Sequence, residues 1–138
     1  MQDEFDQLFS SENPQDLLDS GDAAIQVEAG ASYSLRFFRR AMLLDKSPET
    51  SVHAYRGMGR AHLFMKKPDK AIASLQKGLQ IAPNDVDSHL QIGYAYVDAG
   101  RKGSLQEYRI LQRLDRKNPQ RLYAEITIRN CFYTCKAK

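Results

Sequence analysis

The side chains that could perform chemistry in this chain of 138 residues are few and widely spaced. Three histidines are present, at His53, His62 and His89, and two cysteines, at Cys131 and Cys135. The histidines are not clustered, and two cysteines supply only part of the roughly four ligands that a zinc ion needs. The sequence therefore predicts no metal site. The cysteines are interpreted as structural or incidental, with redox pairing or an intermolecular disulfide as the alternative.

Catalytic constellations are also missing from the sequence. An enzyme would show a nucleophile beside its base, paired carboxylates or a glycine-rich loop that cradles a phosphate. The eight glycines are dispersed, and the pair Gly57 and Gly59 lies in a segment of helical periodicity instead of following a strand. We therefore expect neither catalysis nor a cofactor.

Charge is distributed unevenly along the chain. Residues 1–31 contain eight acidic residues and no lysine or arginine, whereas residues 101–138 contain ten basic and three acidic residues. Such polarity can steer an oppositely charged partner or align copies of the chain head to tail, although exposed charges are screened beyond roughly 8 Å. The alternative is that the two ends are merely solvated faces of different charge.

The sequence contains no segment typical of a membrane protein. No apolar run approaches the roughly 18 residues of a membrane span, and the amino terminus is acidic where a signal peptide is basic. The cysteines lie too close to the carboxyl terminus to staple a fold together. A reducing, cytoplasmic location is the expectation.

The histidines and glycines named above lie in a pattern of helical spacing that repeats every 34 residues. The pattern reads Tyr55-x-x-Met58-Gly59-x-x-His62, then Ala71-x-x-x-Leu75, then Pro83. Its first half recurs after 34 residues as His89-x-x-Ile92-Gly93-x-x-Tyr96, and after another 34 at Tyr123. An earlier copy starts 37 residues before Tyr55, at Leu18. This spacing resembles the tetratricopeptide repeat, in which two antiparallel helices form each unit.

The resemblance implies an all-α fold of antiparallel helix pairs stacked in a right-handed superhelix. It divides the chain into an acidic amino-terminal arm at 1–13, a repeat domain at 14–133 and a basic tail at 134–138. We expect repeats at about 15–47, 52–85 and 86–118, followed by a capping helix at 119–133. The predicted helices span about 14–29, 32–45, 48–65, 68–81, 84–99, 102–116 and 119–133.

Prolines and glycines support these boundaries. Pro48, Pro68, Pro83 and Pro119 are predicted to begin helices, because the fixed φ of proline and its missing N–H suit a first turn. Gly59 and Gly93 fall inside predicted helices, where glycine costs about 1 kcal/mol relative to alanine. Close approach of the paired helix would explain why glycine stands at these two positions.

The resemblance also implies that the first helix of each pair lines a concave groove. The residues expected to bind a partner there are His53, Arg56, Arg60, Phe64, Leu90, Tyr94 and Asp98, with Asp16, Asp19, Ala23, Gln26 and Asp87 lining the remainder. Arg56 and Arg60 share a helix face four residues apart, where like charges cost a few tenths of a kcal/mol. A partner carboxylate would relieve that repulsion, so we expect an acidic or amphipathic ligand. The alternative is two solvated arginines.

Three classes of function follow. The favoured class is an adaptor or chaperone-like module, without catalysis, that binds an extended or helical segment of another protein. The second is a structural subunit that assembles weakly through its own ends. The third is nucleic-acid binding by Arg36, Arg39 and Arg40 beside Phe37 and Phe38. Single-strand binders need exposed aromatic rings, whereas Phe38 occupies a packing position of the repeat, so the third class is not favoured.

Overall fold

A computed structural model describes residues 7, 9–27, 29–100 and 103–114, without the side chains of residues 104 and 105. Within this part the chain is all-α, as predicted, and has no strand. The six helices are α1 Pro14–Ile25, α2 Ala31–Leu44, α3 Pro48–Phe64, α4 Pro68–Ile81, α5 Val86–Asp98 and α6 Ser104–Leu114. The predicted capping helix at 119–133, both cysteines and the tail at 134–138 lie outside the described residues.

Helix starts follow the local chemistry of proline and capping side chains. Pro14, Pro48 and Pro68 each occupy the first position of a helix, where no N–H is needed. The expectation that Pro83 also begins a helix is wrong, because it lies in the turn before α5. The carboxylate of Asp85 caps α5 instead by accepting the amide N–H of Ser88 at 3.0 Å.

Consecutive helices contact one another and are joined by connections of only a few residues, as expected of antiparallel neighbours. The helices fall into two sets. We call α1, α3 and α5 the first helices and α2, α4 and α6 the second helices. Among the described residues α3 contacts both α1 and α5, whereas no second helix contacts another second helix. This asymmetry is consistent with a curved helical repeat in which the first helices lie on the inner side of the stack.

Phe38 is the centre of the larger core cluster. Its fully buried ring from α2 fills the space between Gly21 on α1 and Gly57 on α3. A Cβ atom on Gly57 would lie 2.2 Å from Phe38 Cζ, and one on Gly21 would lie 2.7 Å from Phe38 Cε1. Glycine at these two positions therefore admits the ring, and the three helices meet at one side chain.

Gly59 of α3 allows α4, the second helix that follows it, to pack closely in the same way. A Cβ atom there would lie 2.5 Å from Cγ of Leu75, a fully buried residue of α4. The predicted close approach of the paired helix is confirmed at Gly59. Gly93 is buried within α5, as its interior position in the repeat requires.

The described part of the amino-terminal segment packs against α2. The Phe9 ring lies 6.1 Å from the Phe37 ring, measured between centroids. The guanidinium carbons of Arg36 and Arg40 lie 4.7 Å and 5.4 Å from the Phe9 centroid, within the range of cation–π attraction. Arg40 also donates from Nε to the Ser11 carbonyl at 3.3 Å. This contact fixes the chain where it enters α1.

Candidate functional site

The exposed side of the first helices is the candidate site, and we call it the inner face. On α3 it comprises His53, Arg56, Arg60 and Phe64, all at least partly accessible to solvent. The side of α3 that packs into the fold is formed by the buried residues Thr50, Ala54, Gly57, Met58, Gly59, Ala61 and His62. The helical register predicted for α3 is therefore the one that the structure has.

Residues from α1 and α5 extend the inner face on either side of α3. Asp16, Asp19, Ala23 and Gln26 of α1 are exposed, as are Asp87 and Asp98 of α5. Leu90 and Tyr94 are half-buried, and Leu90 packs against the core around Leu111 of α6. All seven residues expected to bind a partner thus lie on first helices and retain accessible surface.

Asp22 joins the first two repeats across the inner face. Its Oδ2 lies 2.7 Å from Nε2 of His53, and its Oδ1 accepts a hydrogen bond from Nη2 of Arg60 at 2.8 Å. Sequence reasoning missed Asp22, although it lies one helical turn after Asp19 and one before Gln26. That spacing was the available signal, because residues three or four apart share a helix face.

Arg56 makes the equivalent connection between the second and third repeats. Its Nη1 donates to Oδ1 of Asp85 at 3.1 Å and reaches Oδ2 of Asp87 at 3.5 Å. Asp85 is also the cap of α5, so one carboxylate holds both a helix start and an arginine from the neighbouring helix. Asp87 is the more exposed of the two partners, with 68% of its side chain accessible.

The chain itself therefore supplies the anions that we expected from a partner. Arg60 pairs with Asp22, and Arg56 pairs with Asp85 and Asp87, so neither arginine is merely solvated. Exposed ion pairs are typically worth about 0–1 kcal/mol each. Their main consequence here is geometric, because they fix the arginine side chains and link each first helix to the next.

His62 and His89 lie in the first-helix part of the repeat pattern, on α3 and α5, and both are buried. Nδ1 of His62 has no hydrogen-bond partner within the described part of the chain. Burial, with the nearby charges of Lys70, Lys67 and Arg39, lowers the pKa of His62 below its ordinary value. The folded chain therefore favours the neutral form of this imidazole.

The His89 ring lies between two oxygen acceptors. Its Nδ1 is 2.7 Å from Oε2 of Glu107 on α6, and its Nε2 is 2.7 Å from the Pro83 carbonyl. The Pro83 carbonyl and an ionised Glu107 carboxylate can only accept hydrogen bonds. With Glu107 ionised, both contacts are therefore hydrogen bonds only when both ring nitrogens of His89 carry a proton. His89 therefore ties α5 to α6 and to the preceding turn. Nowhere in 7, 9–27, 29–100 and 103–114 do three potential metal ligands cluster.

The basic and aromatic residues of α2 do not form a nucleic-acid surface of the expected kind. Phe37 and Phe38 are both buried, so neither ring can stack on a base. Arg36 and Arg40 contact the ring of Phe9 instead. A membrane span is not found either, since no helix among the described residues is both long and apolar enough.

Comparison with known families identifies the central unit. Residues 52–85 match the tetratricopeptide repeat family, and this segment contains most of α3 and all of α4. No curated protein and no solved structure matches the chain. The matched segment includes all four inner-face residues of α3.

Proposed function

We propose that this chain, which carries a tetratricopeptide repeat at residues 52–85, binds a segment of another protein along the inner face and acts as an adaptor or chaperone-like module. Tetratricopeptide repeats are protein-interaction modules, and a curved stack of helix pairs would provide an elongated surface for that role. The observation that carries the proposal is Phe64, an aromatic side chain on the inner face that is 47% exposed.

Among the described residues, Phe64 is the one exposed large apolar side chain that lies within a first helix, since the others are Val27, Leu43, Leu44 and Ile81. It lies at the end of α3, one turn beyond Arg60, while the opposite side of the same helix is fully packed. Covering the exposed half of a phenylalanine, on the order of 100 Å², would contribute about 2 kcal/mol to binding. Aromatic residues are also among those that dominate binding energy at protein interfaces. Phe64 is therefore the anchor that we assign to the inner face.

Site-specific photo-crosslinking in the cells that produce the chain tests this proposal. A photoreactive phenylalanine analogue replaces Phe64 in one variant and Leu43 in the other. Leu43 is the matched control, because it lies on the second helix α2 and is 70% exposed. The proposal predicts a discrete cross-linked protein from position 64 that is absent from position 43.

A second step separates specific capture from chance proximity. The protein cross-linked from position 64 should co-purify with the unmodified chain and with Leu43→Ala, and be lost from Phe64→Ala. Cross-links that arise from position 43 alone would place partner binding on the second helices. Co-purification that is unchanged in Phe64→Ala would refute Phe64 as the anchor.

A further inference from the structure

The charge of the inner face identifies the kind of segment that it binds, an inference that rests on the proposed function. Both arginines of the inner face already have carboxylate partners within the chain, at Asp22 and at Asp85 with Asp87. An acidic ligand would have to displace these carboxylates and leave them beside its own negative charge. The paired arginines therefore do not favour an acidic partner.

The acidic residues of the inner face outnumber its arginines. Asp16 and Asp19 of α1 are exposed, and 33% of the Asp22 side chain remains accessible beside its two partners. Asp87 lies 3.5 Å from Arg56, at the limit of a hydrogen bond, while Asp85 makes the closer contact at 3.1 Å. Asp87 thus retains most of its capacity to accept from a ligand.

Helix-end electrostatics explain only part of this pattern. Acidic residues stabilise the first turn of a helix, which accounts for Asp16 on α1 and Asp87 on α5. Asp19 and Asp22 lie in later turns of α1, where the effect of the helix dipole has faded. Asp22 contacts His53 and Arg60, and Asp19 accepts a hydrogen bond from Nε2 of Gln15 at 2.9 Å. These contacts leave the carboxylates of Asp16, Asp19 and Asp87 exposed. The inner face therefore keeps an excess of negative charge, which a cationic ligand would balance.

We propose that the inner face binds an amphipathic segment rich in lysine or arginine. Its basic side chains contact the aspartates of α1 and the first turn of α5, and its apolar side chains cover Phe64 and the accessible part of Leu90. Asp16, Asp19 and Asp22 span about 9 Å along α1, at 1.5 Å per residue. Basic residues three or four positions apart on a partner helix match that spacing.

Selection from a displayed library of random peptides tests this inference with the full chain as bait. The expected binders have net positive charge and apolar residues at helical spacing. Affinities of the selected peptides are then measured by fluorescence anisotropy at low and high ionic strength. Binding should weaken with salt, because the contacting charges are exposed.

Charge-reversed variants locate the contact. Asp19→Lys with Asp87→Lys should weaken the selected peptides by about tenfold or more, since attraction becomes repulsion at the same place. The control is Glu12→Lys with Asp69→Lys, which makes the same change of net charge at two exposed acids outside the inner face. The control should alter affinity by less than about twofold. Circular dichroism establishes that both variants are folded, and the salt dependence of the unmodified chain stands independently of them.

Other results would refute either the basic partner alone or the proposed function with it. Enrichment of acidic or neutral peptides that lose affinity on Phe64→Ala would refute the basic partner and leave the proposed function intact. Peptides indifferent to Phe64→Ala, or no enrichment at all, would refute both. Tighter binding of the selected peptides after the lysines and arginines of residues 115–138 are changed to glutamine would show that this basic segment of the chain itself competes for the inner face, which overturns a foreign partner.

Discussion

Replacing Gly57 by alanine probes the contact on which the packing of the first two repeats depends. Alanine adds one methyl group within α3, and its carbon would lie 2.2 Å from Cζ of the buried Phe38 ring. Favourable contacts between carbon atoms occur at about 3.5–4.0 Å, so the ring has to retreat by more than about 1 Å. Gly21 of α1 closes the other side, where an added Cβ would lie 2.7 Å from the ring.

Two opposing terms set the size of the effect. Alanine gains about 1 kcal/mol over glycine in helix propensity. Overpacking of a rigid core site typically costs about 1–3 kcal/mol, and the upper end applies because the Phe38 ring is held on both sides. We therefore expect Gly57→Ala to lower the free energy of unfolding by about 2 kcal/mol, which corresponds to a melting temperature lower by roughly 8 °C.

Thermal and urea unfolding monitored by circular dichroism measure this change. Gly78→Ala is the matched control in α4, because its added carbon would lie 3.3 Å from Cβ of Tyr55 and require only a small adjustment. The control should stay within about 0.5 kcal/mol of the unmodified chain or be more stable. Phe38→Leu should partly rescue Gly57→Ala, so that the double variant loses less than the two single losses together. A stabilised Gly57→Ala, or strictly additive losses, would refute the packing described for Phe38.

Three further predictions concern acid stability, the inner face and self-association. Because the pKa of His62 is lowered in the folded chain, the unfolded chain takes up the proton first, and the free energy of unfolding should fall as the pH drops below about 6.5. Urea unfolding at several pH values should show that this free energy falls less steeply with pH in His62→Phe, and an equal dependence in both chains would contradict the buried neutral imidazole. Asp22→Asn should cost no more than about 1 kcal/mol of stability, as expected for an exposed ion pair, yet weaken basic peptides about tenfold in anisotropy titrations; unchanged affinity would remove Asp22 from the binding surface. The opposite charges of residues 1–31 and 101–138 predict weak oligomers at low ionic strength that dissociate in salt; light scattering that finds a monomer under both conditions would exclude assembly through the ends.

Most helices could be predicted from the sequence because local signals mark them. The predicted bounds of α4, 68–81, are those of the structure, since Pro68 begins the helix and the apolar spacing ends at Ile81. The end of α1 was predicted at 29, whereas the helix ends at Ile25. No proline marks that end. The chain turns back instead through contacts such as the hydrogen bond from the Gly30 amide to the Val27 carbonyl, 2.8 Å long.

The inner face was predictable as a set of exposed positions but not as a set of pairs. Helical periodicity alone places Arg56, Arg60 and Phe64 on one side of α3. The partners of the arginines come from other repeats, at sequence separations of 29, 31 and 38 residues. Pairing at that range depends on how neighbouring helices pack and how far side chains reach. The repulsion between Arg56 and Arg60 indicated that an anion lies near them, and the sequence alone assigned that anion to a partner. In the structure, Asp22 and Asp85 of the chain itself provide it.

A titration of the isotope-labelled chain with one peptide from the library, followed by nuclear magnetic resonance, tests the central claim most directly. If the inner face binds a basic segment, the largest changes in amide shift will fall on the first helices, around Asp19, Phe64 and Leu90. Leu43 and Ile81, exposed on second helices, will change little. Shift changes centred on Leu43 or Ile81, with Phe64 unaffected, would contradict the account.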